Sequence, residues 1–298
     1  MKSNNTILIM SYSYKFIFCT NMIIFVFLFV FVFVAWLCRT PPRWGARHQR
    51  WLGWRTIPKV IHKVYIEHSM EIPQILPEIK EAHESWTQLN PGYVIKYYSG
   101  KDCVQYLKRH FGQSYADTFN NIHAYSGKAN FFRYCVLYHE GGWYSDWKQV
   151  CLKPFHKWVK DKATFVGFYD IHWRTASDKS KNCGQPATMG SISGHPILRE
   201  AIDIVRNNVK NRHYGRTQFD TTGPCVYGEA ILKVLPTLNQ DEYQLGRYID
   251  RKMQMEGVDV IQHKCASCTQ DQNWENGNNY AELWRQKNYY GERSPTPS

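Results

Sequence analysis

The 298-residue sequence predicts an α/β domain preceded by an apolar segment long enough to cross a membrane. Three observations carry this expectation. Strand-like and helix-like patterns alternate from Ile57 onward, which implies parallel neighbours in a sheet covered by helices. The block Ser126 to Phe155, SGKANFFRYCVLYHEGGWYSDWKQVCLKPF, reads as helix, glycine turn, strand and terminal acid. Phe16 to Cys38 runs for 23 residues without a charge.

From the amino end, residues 1–15 form a short tail and residues 16–38 a transmembrane anchor. At a rise of about 1.5 Å per residue, the apolar run covers a hydrocarbon core of about 30 Å. Trp36-Leu37-Cys38-Arg39 stands where a signal peptide would have a small-residue cleavage site, so the segment reads as uncleaved. Residues 39–56 form a stem, with Pro41-Pro42 and with Trp44, Trp51 and Trp54 set among arginines as in an interfacial belt. The formal net charge is +12, but residues 1–56 hold seven basic residues and no acid. The remaining 30 basic and 25 acidic residues leave a surplus of five. The basic excess therefore belongs to the membrane flank, and the charge distribution argues against nucleic acid as a partner.

The domain is expected over residues 57–298. Pro58 opens the apolar run KVIHKVYI, a buried first strand, and Pro73 to Leu89 has helical periodicity before the Asn90-Pro91-Gly92 turn. Val94 to Tyr98 reads as a second strand and Lys101 to Phe111 as a helix. Ala163 to Tyr169 and Ala187 to Ser191 read as short strands. Pro196 to Asn208 is an amphipathic helix with Ile197, Ala201, Ile204 and Val205 on one face, and Thr222-Gly223-Pro224 opens another, to Leu235. Nine cysteines, two of them in the anchor, leave an odd number in the domain. Cys265-Ala266-Ser267-Cys268 has the spacing of half a zinc site, but with no second pair it reads as a disulfide or as two unpaired thiols.

Within the Ser126–Phe155 block, Phe132, Cys135, Val136 and His139 recur at the spacing of a buried helical stripe, and Gly141-Gly142 ends the helix. Trp143-Tyr144-Ser145 then runs extended. This puts Asp146 beyond the carboxyl end of a strand, where open α/β sheets collect ligands. Tyr144 and Asp146 alternate and face one side; Asn130 and Arg133, three apart, share a helix face. Each has a plainer reading: Arg133 as an exposed helix cation, Tyr144 and Trp143 as core aromatics, His62 as a core histidine, Lys148 as a solvated charge.

Ile57-Pro58-Lys59-Val60-Ile61-His62 resembles the IPKIIHQ opening strand of family 32 glycosyltransferases, and the central block resembles their (S/A)D-x-x-R-Y…LY-x-x-GG-x-Y-x-D-x-D pattern. Ser85-Trp86 with Asn90-Pro91, Gly194-His195-Pro196 and Thr222-Gly223-Pro224 match further landmarks in order, over about residues 57 to 290. The resemblance implies a GT-A nucleotide-sugar-binding fold, a Rossmann-like mixed sheet flanked by helices. It also implies a retaining transfer of a hexose from a UDP- or GDP-linked sugar to a glycan or glycolipid acceptor. By it, the His62 strand lies beside the base, Arg133 and Asn130 reach the donor, and Tyr144, Asp146 and Lys148 complete the donor site, with Asp146 and Arg133 as the catalytic pair. By position rather than by motif, His263 and Trp274 are candidates to close over the donor, as carboxyl-terminal His and Trp residues do in related enzymes, and Asp170 and His172, after an apolar strand, to touch the acceptor.

Two positions depart from the pattern. Lys148 stands where the family has its second Asp, and Asn130 where it commonly has an Asp before the helical arginine. The resemblance implies Mn²⁺ held by Asp146 and the second acid, and a protonated lysine cannot ligate it. Three alternatives follow: the Lys148 ammonium replaces the metal's charge with Arg133 assisting, Asp146 and an acid from elsewhere hold the metal, or the chain is a membrane-tethered binding module without turnover. Orientation divides two arguments. Heavier positive charge after the anchor puts the domain in the cytosol, whereas the resemblance puts it in the Golgi or endoplasmic reticulum lumen as a single-pass type II protein. The Asn4-Asn5-Thr6 sequon lies on the tail and does not decide between them.

Overall fold

Strand β1 (Val60–Val64) pairs in parallel with β2 (Val94–Tyr98) on one side and with β3 (Gly142–Ser145) on the other, as strand–helix–strand order requires. Beyond β3 the sheet is mixed. β6 (Thr188–Ser191) runs antiparallel to both β3 and β5 (Phe165–Asp170), and β5 is parallel to β7 (Tyr243–Ile249). A meander through β8 (Lys252–Met255) and β9 (Val258–Gln262) ends on the two-residue β4 (Val150–Cys151), giving the order β2-β1-β3-β6-β5-β7-β8-β9-β4. This computed structural model describes residues 56–71, 77–170, 183–266, 268 and 277–291. The tail, the anchor, the stem up to Arg55, His172 and Trp274 lie outside the described residues. Among those described, no helix is long and apolar enough to cross a membrane.

Seven helices are described: α1 (Pro77–Leu89), α2 (Gly100–Phe111), α3 (Gln113–Asn120), α4 (Tyr125–Glu140), α5 (Pro196–Asn211), α6 (Pro224–Val234) and α7 (Tyr280–Arg285). Local chemistry sets their starts. Ser99 and Asp102 close a reciprocal capping box on α2, His195 Nδ1 accepts from the Ile197 N–H at 3.3 Å, and proline opens both α5 and α6. The α4 end is decided by Gly141 and Gly142, at φ +69° and +95°. A Cβ on Gly142 would lie 2.4 Å from Val60 Cγ1 and 2.7 Å from the Val60 carbonyl, so the turn requires glycine on both conformational and spatial grounds.

The two faces of the sheet bury separate apolar layers. Val64, Tyr98, Tyr144 and Met189 pack under Phe131 and Phe132 of α4 and Ile197, Ala201 and Val205 of α5. Ile61, Trp143, Val166 and Phe168 pack with Trp86 of α1 and with Phe155, Met253 and Ile261. The Trp143 ring stacks on Phe155 with centroids 3.9 Å apart. His139 departs from its expected place on the buried stripe. It is exposed at the last turn of α4, where Nδ1 meets the Tyr106 hydroxyl at 2.8 Å and the ring lies beside His110 of α2. Sequence reading overlooked α3, α7, β4 and the β7–β9 meander; β4 is only two residues long.

Candidate active site

Asp146 follows β3 by one residue and is held from both ends of its peptide. Its N–H donates to the Ala187 carbonyl at 2.9 Å and to Gln149 Oε1 at 3.2 Å, and its carbonyl accepts from Lys63 Nζ at 3.2 Å. The carboxylate is left facing the other way. Its Oδ1 accepts from the Tyr144 hydroxyl at 2.8 Å and stands 3.1 Å from Arg133 Nη2. Arg133, on the third turn of α4, also donates from Nη1 to the Pro186 carbonyl at 2.7 Å, and its guanidinium lies 4.3 Å from the Tyr144 ring centre. The arginine side chain is 6% exposed and the aspartate side chain 36%, so the cation is buried behind an acid that reaches solvent. Burial works against the Arg133 charge, but Asp146 and the surrounding tyrosines hold its pKa up. Burial raises the Tyr144 hydroxyl well above its usual value, which keeps it a donor.

Beneath this turn is a buried polar plinth that sequence reading missed. Lys63 is fully buried; its ammonium donates to Ser145 Oγ at 3.0 Å and lies 4.9 Å from the Trp86 ring centre. Burial pulls its pKa down to about 7, with Asp146 acting in the opposite direction. Gln149, also fully buried, accepts through Oε1 from Ser145 Oγ, the Asp146 N–H and Thr188 Oγ1. One signal was present in the sequence: Lys63 lies inside the run KVIHKVYI, alternates with its neighbours and must enter one face of the sheet.

The carboxylate opens into a cleft of about 180 Å³. Val64, Tyr65 and Ile66 form its floor beside Tyr125, Ser126, Ala129 and Arg133 of α4. Tyr144, Asp146, Trp147 and Lys148 form a second wall, and His263, Lys264 and Asn278 a third. The Cys265 N–H donates to the Lys148 carbonyl at 2.9 Å, which fixes the segment carrying Lys264 against the segment carrying Lys148. Cys265 and Cys268 are disulfide-bonded, deciding between the two readings left open for that pair. Burial lowers the His263 pKa, so this wall holds a neutral imidazole at pH 7.

The structure thus gathers Arg133, Tyr144, Asp146, Lys148 and His263 at one cleft and leaves other expected residues elsewhere. His62 is fully buried outside the lining. Its Nε2 lies 3.0 Å from the Gly141 carbonyl and its Nδ1 3.1 Å from the Tyr98 hydroxyl. A carbonyl only accepts, so Nε2 carries the proton, and burial lowers the ring's pKa to about 4. His62 therefore pins the glycine turn, and its side chain does not reach the cleft. Asn130 also lies outside the lining; its Nδ2 donates to Thr222 Oγ1 at 3.3 Å, tying α4 to the Thr222-Gly223-Pro224 turn. Asp170 is buried at the end of β5, away from this lining.

A hard divalent ion such as Mn²⁺ takes about six oxygen donors. The described cleft lining offers one carboxylate, whose Oδ1 already serves Arg133 and Tyr144, with two lysines beside it. Among the described residues no group of three or more His, Cys, Asp or Glu side chains could hold a metal ion. Among the described residues, this lining does not fit the expected ion.

A mixed α/β sheet with Asp146 at the carboxyl end of β3, and with Arg133, Lys148 and Lys264 lining the same cleft, offers a site suited to an anionic, hydroxyl-rich ligand. Residues 77–165, which contain Arg133, Tyr144, Asp146 and Lys148, match the model of the family described as "Glycosyltransferase sugar-binding region containing DXD motif". The chain is 31% identical over 175 residues to an uncharacterized glycosyltransferase of Acanthamoeba polyphaga mimivirus, covering 59% of this chain and 64% of that one. An initiation-specific alpha-1,6-mannosyltransferase of Candida albicans is 23% identical, covering 53% of this chain and 48% of its own. A mannosyl phosphorylinositol ceramide synthase of Saccharomyces cerevisiae is 25% identical, covering 51% and 35%. The chain therefore spans less than two thirds of the length of each of these relatives.

Proposed function

We propose that this protein is a GT-A glycosyltransferase that moves a hexose from a nucleoside diphosphate sugar to a hydroxyl of a glycan or glycolipid. The carrying observation is Asp146, set at the end of β3 with Oδ1 gripped by Arg133 and Tyr144, inside the segment that matches the glycosyltransferase sugar-binding family. In the transfer, the bond between the anomeric carbon and the diphosphate oxygen breaks and its electron pair stays on the diphosphate. The acceptor hydroxyl oxygen bonds the anomeric carbon, and its proton passes to the leaving diphosphate. Asp146 binds donor hydroxyls, while Arg133 fixes that carboxylate and adds positive charge where the leaving group gains negative charge. The retaining outcome rests on the family resemblance. Mannose is the first sugar to test, because two relatives carry mannosyl transfer in their names.

The uncharged run at residues 16–38 supports a membrane anchor. The Cys183–Cys225 disulfide supports a lumenal, oxidising setting over a cytosolic one, against the charge bias around the anchor. Protease protection of the domain in sealed microsomes tests this placement; digestion without detergent rejects it.

The functional test is a panel of GDP-mannose and UDP-hexoses with mannoside and glycolipid acceptors, comparing the wild-type chain with Asp146→Asn. Transfer that falls with the substitution supports the proposal, and the anomeric configuration of the product tests retention. Nucleotide-sugar binding without turnover across the panel would establish the binding-module alternative.

A further inference from the structure

Lys264 has no counterpart in the motifs, yet it lines the same cleft as Lys148 and Arg133. The 2.9 Å bond from the Cys265 N–H to the Lys148 carbonyl explains how: it fastens the segment after β9 against the segment after β3. The Cys265–Cys268 disulfide restrains that segment further. Three cations therefore share one small cleft with Asp146, the sole acid among its described lining residues. His263 adds no charge at pH 7, since burial lowers its pKa and keeps the ring neutral.

This composition repels a divalent cation and attracts a polyanion. In glycosyl transfer, negative charge grows on the diphosphate as the anomeric bond breaks, and some fixed positive charge must meet it. With a metal this charge comes from the ion; here the lining supplies it from side chains. Lysine suits the task because its ammonium is a compact charge on a long stem that can follow phosphate oxygens. We propose that Lys264 and Lys148 hold the donor diphosphate, with the Arg133 charge behind Asp146 supporting them, and take the place of a divalent ion, making binding and transfer metal-independent. This rests on the reading of the cleft as a nucleotide-sugar site.

The test is calorimetric titration of UDP and GDP into the full chain, in EDTA and in Mn²⁺, for the wild type and for Lys148→Gln, Lys264→Gln and Lys264→Arg. Thermal midpoints identify any variant that fails to fold, and Lys264→Arg keeps the charge in place. Loss of one charge-assisted contact to phosphate is expected to weaken binding about tenfold. The expected result is a Kd in EDTA within about threefold of the Mn²⁺ value, weakened about tenfold by either glutamine variant and largely restored by Lys264→Arg. Transfer should persist in EDTA. Binding or transfer that vanishes in EDTA and returns with Mn²⁺ overturns this proposal while leaving the glycosyltransferase reading intact. So does a Lys264→Gln variant that binds as the wild type does. If neither nucleotide binds with or without Mn²⁺, the nucleotide-sugar reading fails, and this inference with it.

Discussion

Arg133 Nη2 stands 3.1 Å from Asp146 Oδ1, joining the third turn of α4 to the end of β3. The two residues differ in what they can lose. Arg133 is buried and keeps the carbonyls of Ala129 and Pro186 as further partners, whereas Asp146 presents its carboxylate to solvent. The pair holds the Asp146 carboxylate in one orientation from behind, leaving its outer side open to the cleft.

Asp146→Asn keeps the size of the side chain and removes its charge. Transfer is expected to fall by about a hundredfold or more, as when one preorganised polar group of an active site is lost. Stability should fall by about 1–3 kcal/mol, because the buried guanidinium loses its counter-ion. Turnover and the urea midpoint measured on the same preparation check both, and unchanged turnover would remove Asp146 from the mechanism.

Lys63 makes a pH-dependent contribution whose sign can be worked out. Its folded pKa is lowered to about 7, while an unfolded lysine holds its proton up to about 10.4. Between those values the unfolded chain binds more protons, so this residue makes the fold more stable as pH rises, by at most about 1.4 kcal/mol per pH unit. Below about pH 7 the effect disappears. Lys63→Met should lack this slope, so the stability gap between wild type and variant must shift toward the wild type from pH 7 to 9. A gap that stays flat in urea titrations would show that Lys63 keeps its proton throughout.

Gly142 adopts φ +95° with the Val60 carbonyl 2.7 Å from where a Cβ would sit. Gly142→Ala is therefore expected to cost about 3 kcal/mol or more, from backbone strain together with displacement of β1. Thermal unfolding reads the loss. Gly92→Ala provides the comparison, since its φ of +88° carries the strain with nothing within 4 Å of its Cβ position. The difference between the two variants isolates the packing component.

Cys183 and Cys225 are linked across 42 residues of sequence. Closing a loop of that length is expected to stabilise the fold by about 2–4 kcal/mol. Replacing both cysteines with serine should lower the denaturation midpoint accordingly, and reductant should then lower the variant's midpoint by less than the wild type's, since both chains retain Cys265–Cys268. Equal stability of wild type and variant under oxidising conditions would contradict the pairing.

The Ser126–Phe155 block shows how far sequence reaches. The helix, the double-glycine stop, the extended Trp143-Tyr144-Ser145 and the acid beyond it were all legible, because 3.6-residue and 2-residue periodicities and glycine's conformational range are local properties. The expectation that Tyr144 and Asp146 face one side follows from the same alternation, and the 2.8 Å bond between them agrees with it. His62 and Asn130 were harder. Each sits on an element the sequence located, but which partner a side chain turns toward depends on what packs opposite: the Gly141 carbonyl for one, Thr222 for the other.

By itself the sequence determined the α/β class, most helix and strand positions, the uncharged segment at residues 16–38 and the family landmarks, all of them written in short-range pattern. The tertiary structure decided what long-range contact alone can decide. It fixed which strands of the mixed sheet run antiparallel, placed Lys63 beneath the Asp146 turn, and brought Lys264 beside Lys148 through the Cys265 backbone bond. The physical reason is that a cleft's charge is a sum over residues far apart in the chain. The motif block set Arg133 and Lys148 beside Asp146, but no local pattern shows that Lys264, far along the chain, shares their pocket.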